Sequence, residues 1–250
     1  MQPKVPPSPA LPIAGYVLAG GRSSRMGADK SLLQLAGKPL IAHAVAKLGR
    51  LCAAVHILGG NPALAAYAPL VEDLHPGIGP LGGIEAALAH TAHDWNLILP
   101  VDLPFFPAAL LYATAISVLR SQPRGVRIAM FTLLGVPQPA LLLIHREVAP
   151  YLARAVAKEQ YKLFSVLEAA ARQIEAGIAP AARDSAIRQI ETQAMLLEDI
   201  HREDLGEGAG DESWQTTADA QRRNQHLWFA NLNTPADVAE AESHLDALDP

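Results

Sequence analysis

The chain has 250 residues, half of them hydrophobic, with a formal net charge of -5 and a single cysteine, Cys52. That composition supports a sizeable core and excludes wholesale disorder; no apolar run reaches the ~18 residues of a membrane span, and the lone cysteine excludes an internal disulfide and fits a reducing cytoplasm. The absence of a long basic run argues against a large nucleic acid as ligand and leaves room for a small phosphorylated one held by a few placed groups.

In chain order, Met1 to Pro12 is proline-rich without an apolar stretch, and reads as a disordered lead-in and not a secretion signal. A single domain is expected over residues 13–250. Ile13 to Ala19 is an apolar strand ended by Gly20 and Gly21. Leu40 to Leu51 has helical spacing, Ala54 to Leu58 reads as a buried strand, and Leu70 to Asp73 as a short one. Pro80 to Thr91 is a helix with proline in its first turn, where the missing N–H does no harm. Trp95 to Val101 is a strand that ends on Asp102, Pro107 to Leu119 a helix, and Val126 to Phe131 and Ala140 to Ile144 strands. Val148 to Ala157 and Leu163 to Ala171 are amphipathic helices. Residues 198–212 hold the acids Glu198, Asp199, Glu203, Asp204, Glu207, Asp211 and Glu212, and 200–225 reads as a long exposed, disordered loop. Order resumes at Leu227 to Leu232. Thr234 then caps a last helix with Pro235 at its first position and a buried stripe of Val238, Ala241 and Leu245.

Alternating strands and helices imply an α/β fold, a mostly parallel sheet with helices on both faces. Ligands of such sheets bind beyond the carboxyl ends of the strands. The loops after Ala19, Leu58, Asp73 and Val101 should therefore share one rim.

The segment Leu18 to Lys30 (LAGGRSSRMGADK) places backbone amides at Gly20 and Gly21, and the cations Arg22, Arg25 and Lys30, just after the first strand. That combination suits a polyphosphate; a solvated turn with incidental charges is the alternative. It lacks the P-loop spacing. Asp102, delivered by an apolar strand and flanked by prolines, suits a Mg²⁺ ligand or a cap of the next turn. Asp73 reads equally as a ligand contact or a cap. Gly77, Gly79 and Gly82 match the dinucleotide fingerprint, but the preceding strand stops too early and Pro80 sits inside the loop. His90 and His93 have no third metal ligand in sight and read as surface histidines. Cys52 reads as a small buried hydrophobe, and Ser31 and Ser165 lack the neighbours of a nucleophile.

Five separated motifs taken together resemble the MobA-like nucleotidyltransferase family: Leu18 to Lys30, Gly79 to Gly83 (GPLGG), Leu99 to Phe105 (LPVDLPF), Gln138 to Leu143 (QPALLL) and Phe229 to Pro235 (FANLNTP). The resemblance runs from about Ala14 to His244, without most of 200–225. It implies a Rossmann-like nucleotidyltransferase fold, with GTP as donor and Mg²⁺ as cofactor. The reaction it implies is transfer of GMP to the terminal phosphate of molybdenum-bound molybdopterin, with release of pyrophosphate. By the same resemblance Leu18, Ala19, Gly20 and Gly21 line the guanine and ribose side, Lys30 contacts phosphates with Arg25 nearby, Asn61 or Gly59 fills a nucleotide contact after the second strand, Asp73 is a further contact, and Asp102 is the metal ligand. Related enzymes that use CTP tend to carry alanine for the first glycine of the pair, so the pair favours GTP. Other cofactor-biosynthesis proteins and apo-molybdoenzymes are the implied partners. The sequence departs from the pattern at Val101, where the family often has cysteine, at Gly82, where it has alanine, and in the acidic insertion. Three rival readings stay open: CTP transfer to the same pterin, nucleotidyl transfer to a sugar phosphate, and a GTP-binding accessory module without turnover.

Overall fold

A computed structural model describes residues 10–20, 29–120, 125–177, 186–191 and 219–249. Strand β1 (Leu11–Leu18) sits inside a sheet and is covered on both sides. Successive side chains of a strand point to opposite faces. Ile13 and Val17 accordingly enter one apolar cluster, and Ala14 and Tyr16 the other. This double burial is why the strand reads as a continuous apolar run.

A short hairpin of β2 (Gln34–Leu35) and β3 (Lys38–Pro39) leads into α1 (Leu40–Leu51). Leu40, Ala44, Leu48 and Leu51 form its buried stripe, and the helix passes straight into β4 (Cys52–Leu58). Then follow β5 (Leu70–Val71), α2 (Pro80–His90), β6 (Trp95–Pro100) and α3 (Ala108–Arg120). Next come β7 (Ile128–Leu133), β8 (Val136–His145), α4 (Ala149–Ala157), α5 (Leu163–Ala176) and β9 (Ile187–Glu191). A short α6 (Asp219–Arg223) and α7 (Pro235–Ala241) end the series.

The seven-stranded sheet has the order β5-β4-β1-β6-β8-β7-β9. β5, β4, β1 and β6 are mutually parallel, β8 runs antiparallel to both β6 and β7, and β9 is parallel to β7. Helices α1 and α3 and the C-terminal segment cover one face; α2, α4 and α5 cover the other. The sheet is thus mostly parallel with helices on both faces, as the alternation predicts. Among the described residues no helix is long and apolar enough to cross a membrane.

Several sequence expectations are corrected. The lead-in expected to run to Pro12 stops earlier, because Leu11 already pairs with Cys52; residues 1–9 lie outside the described part. β7 and β8 form a hairpin through Leu134 and Gly135, both at positive φ, and this reverses the chain direction in the sheet. Mirror-type turns of this kind match the twist of the flanking strands. Strand β9 went unforeseen. Of the loop expected over 200–225, residues 200–218 lie outside the description. Its end is not loop: Asp219–Arg223 is helical, Gln221 is buried, and Trp228 Nε1 donates to the Gln221 carbonyl at 3.1 Å. The stripe of the last helix keeps Val238 and Ala241 but loses Leu245, which is 37% exposed because the chain kinks at His244.

Candidate active site

Parallel pairing brings four strand ends to one rim. Val101 N donates to the Leu18 carbonyl, Ala19 N to Leu58, and Gly59 N to Val71, so the ladders extend past the strands into the loops. Gly59 lies at φ +146°, and a Cβ there would stand 3.4 Å from Gly20 N. The positive φ at position 59 favours glycine there.

Asp102 follows β6 and is 8% exposed. Its Oδ2 accepts from Lys30 Nζ at 2.6 Å, and Lys30 also reaches Asn233 Oδ1 at 3.4 Å. The Asp102 carbonyl takes the amide of Leu232 at 3.1 Å. Three segments far apart in the chain therefore meet around Asp102 and Lys30. Asn233 owes its place to the cap of α7. The Asn233 and Thr234 amides both donate to Asp237 Oδ2 at 2.8 Å, and Asp237 N donates back to the Thr234 hydroxyl. Those amide bonds hold the Asp237 carboxyl below the usual carboxylate range.

Asp29 Oδ1 caps the short helical turn at Lys30–Leu32, and its Oδ2 accepts from Asn61 Nδ2 at 2.6 Å. Asn61 also caps the turn that follows it, at Ala63 N. The candidate contact Asn61 is thus tied to the glycine-rich segment, while Gly59 touches Gly20 by its backbone. Asp73 lies two residues beyond β5, beside α2. Burial pushes its carboxyl above the ordinary value. At Gly83 a Cβ would stand 2.9 Å from Leu18 Cδ1 and 3.6 Å from Asp73 Oδ1, so the glycine lets α2 close on this corner. Residues 72–79 separate β5 from α2, too many for the tight turn of a dinucleotide fingerprint. Leu18, Ala19 and Gly20 lie on the rim at the end of β1. Gly21 and Arg25 fall outside the described residues.

Sequence reasoning missed three residues here. Asn233 stood inside a quoted motif without a role, and Asp29 adjoined Lys30 without one. The third is Lys47. It falls on the apolar stripe of α1, and a lysine in that register was the signal available. It is 4% exposed; its ammonium donates to the carbonyls of Pro104, at 2.8 Å, and of Phe106, and pairs with Asp249 Oδ2 at 3.0 Å. Asp249 Oδ1 takes the amide of Ala108 and the side chain of Gln221, both at 3.0 Å. The turn after Asp102 is thereby fastened to α1 and to the C-terminal segment. Burial lowers the Lys47 pKa, against the opposing pull of Asp249.

The other candidates lie elsewhere. His90 is exposed, its Nδ1 is 3.3 Å from the Tyr16 hydroxyl, and its ring meets His56 edge-on. Cys52 is buried and its thiol pKa is pushed well up. Ser31 is buried. Among the described residues no group of three or more His, Cys, Asp or Glu could enclose a metal ion. The donor set still fits Mg²⁺, which takes one or two carboxylates and fills its remaining positions with phosphate oxygens and water. Asp102 is such a carboxylate, hard, anionic and already in contact with a cation.

At the carboxyl ends of the parallel strands one ammonium and one carboxylate are in contact, charges that suit a phosphorylated ligand. Residues 15–175 match the family described as the MobA-like NTP transferase domain. The chain belongs to that family. It is 38% identical over 170 residues to the molybdenum cofactor guanylyltransferase of Serratia proteamaculans, a match covering 65% of this chain and 83% of that one. It is 47% identical over 103 residues to the enzyme of the same name from Xanthomonas euvesicatoria, covering 40% of this chain and 52% of that one. The crystal structure of molybdopterin-guanine dinucleotide biosynthesis protein A from Archaeoglobus fulgidus superposes with a TM-score of 0.64 at 20% identity, over 94% of this chain and 100% of that one. At that identity the likeness speaks for the fold.

Proposed function

We propose that the chain transfers GMP from GTP to the terminal phosphate of molybdenum-bound molybdopterin and releases pyrophosphate. The observation that carries this reading is the 2.6 Å contact of Lys30 with Asp102 on the rim of β1, β4, β5 and β6, in a chain whose relatives bear the name guanylyltransferase. An oxygen of the pterin phosphate attacks the α-phosphorus of GTP. The bond from that phosphorus to the bridging oxygen breaks, and its electron pair leaves with pyrophosphate. The attacking phosphate is already ionised at neutral pH, so no side chain need remove a proton. The protein's share is positioning and charge neutralisation. Lys30, kept at the rim by Asp102 and Asn233, offsets the charge that grows on the leaving group. Asp102 is the carboxylate that would hold Mg²⁺, which when bound neutralises and aligns phosphate oxygens. Gly20 and Gly59 keep the rim free of side chains where guanine and ribose would lie. Such work belongs in the cytoplasm, beside other cofactor-biosynthesis proteins and the apo-molybdoenzymes.

The test is pyrophosphate release with each of GTP and CTP, with and without the pterin acceptor, in the presence of Mg²⁺. The expected result is release with GTP that depends on the acceptor. Preference for CTP, or acceptance of a sugar phosphate in place of the pterin, would move the assignment to a related transfer. GTP binding without release would make the chain an accessory module.

A further inference from the structure

Helices α4 and α5 enclose a groove of about 500 Å³ whose lining shares no residue with the rim of Lys30 and Asp102. Its place follows from the topology. β8 ends beside the start of β6, since His145 pairs with Trp95. α4 follows and packs on α2 and α5.

The lining is unusual for a chain of net charge -5. Arg154, Lys158 and Lys162 face the groove against a single acid, Glu159. Among the described residues none of the three cations has a carboxylate within ion-pair distance. Arg154 and Lys158 stand at the C-terminal end of α4, where cations are favoured, and Glu159, at φ +56°, closes the helix as Gln160 N donates to the Ala155 carbonyl and Glu159 N to the Val156 carbonyl. Two aromatic rings complete the lining. The guanidinium of Arg154 lies over Tyr151, 4.6 Å from the ring centroid, and Tyr161 is 42% exposed. Val166 and Ala170 form an apolar floor continuous with the core.

We propose that this groove is a binding site, separate from the nucleotide rim, for a small molecule that joins a phosphate to a flat ring. Its volume lies in the range of small-molecule sites. Lysines and an arginine without a carboxylate partner suit a phosphate, and an exposed tyrosine offers a stacking surface. An acidic protein surface would also be drawn to the cations, but it would leave the apolar floor and the depth of the groove unfilled.

Riboflavin 5′-phosphate tests this, because its fluorescence falls when its ring stacks on tyrosine. The titration uses the full chain saturated with GTP and Mg²⁺, so the nucleotide rim is filled. The expected result is saturable quenching at one site, weakened tenfold or more in a Lys158→Gln, Lys162→Gln double variant and lowered in Tyr161→Leu. Riboflavin, which lacks the phosphate, should bind at least tenfold more weakly. Both variants alter surface side chains, and their melting temperatures should match that of the parent. Lys30→Met should leave the titration unchanged. No saturable binding, binding that both groove variants leave intact, or binding lost with Lys30→Met would overturn the proposal. So would direct binding of polyglutamate that the Lys158→Gln, Lys162→Gln variant loses, with no binding of the flavin, which would make the groove a protein-docking face.

Discussion

Lys47→Met removes a buried ammonium while keeping the apolar stem. Two carbonyls, of Pro104 and Phe106, lose their donor, and Asp249 Oδ2 loses its ion-pair partner. Breaking one side of a buried ion pair costs about 3–5 kcal/mol, because the remaining charge is left without compensation. Asp249 keeps its bonds from Ala108 and Gln221, and its side chain is 10% exposed. Water can reach it in part, which places the cost near the lower end, about 3 kcal/mol. In a chain of this size each kcal/mol moves the melting temperature by about 2–4 °C, so a fall of about 6–12 °C is expected. The double variant Lys47→Met, Asp249→Asn has no unpaired charge and should recover part of that fall. Pyrophosphate release should drop in the single variant at temperatures where it is folded, because the turn that carries Asp102 has lost its fastening to α1. The assay is melting temperature for both variants and turnover for the single one. A fall of less than about 2 °C would show that the pair contributes little, and the positioning argument would fail with it.

Three further outcomes are expected. Asp102→Asn should reduce pyrophosphate release by roughly a hundredfold or more, corresponding to about 3–4 kcal/mol of lost transition-state stabilisation, with little change in melting temperature; a folded variant with full turnover and unchanged Mg²⁺ dependence would exclude the metal-ligand role. Asp73 has a folded pKa raised by burial, so its contribution to stability is fully present below the ordinary value of 3.8 and is lost as pH rises through the folded value. Asp73→Asn should therefore melt higher than the parent at neutral pH, with the difference vanishing in acid; an advantage that does not change with pH would contradict the cause assigned. Gly83→Ala forces Leu18 Cδ1, 2.9 Å from the new Cβ, to move. Stability should change by less than about 1 kcal/mol, because the end of a flexible leucine can shift and alanine favours a helix over glycine, while GTP binding should weaken through the corner of Asp73; unchanged binding would separate that corner from the nucleotide.

Local physics made much of the site legible. The cap of α7 is visible as Thr234, Pro235 and Asp237 at fixed offsets, and the structure contains the reciprocal bonds. The start of α2 at Pro80 and the apolar run leading to Asp102 are equally short-range signals, carried within a turn or a strand. The β7–β8 reversal was missed although Leu134 and Gly135 sit between two apolar runs. The two runs were read as separate strands, and direction in a sheet is settled by pairing partners.

What the sequence by itself determined is the set of elements and the identity of the reactive groups, because helix periodicity, strand alternation and capping act over a few residues. The tertiary structure alone decided which groups meet. Lys30 and Asp102 are 72 positions apart, Lys30 and Asn233 are 203 apart, and Lys47 and Pro104 are 57 apart. No local preference encodes such pairs. They arise when the sheet order places β1 beside β6 and the C-terminal segment closes over α1, and the same closure bends the chain at His244 and leaves Leu245 exposed. Burying an apolar stripe obeys periodicity, but whether a stripe position holds a lysine with two carbonyls and a carboxylate waiting depends on packing between distant segments.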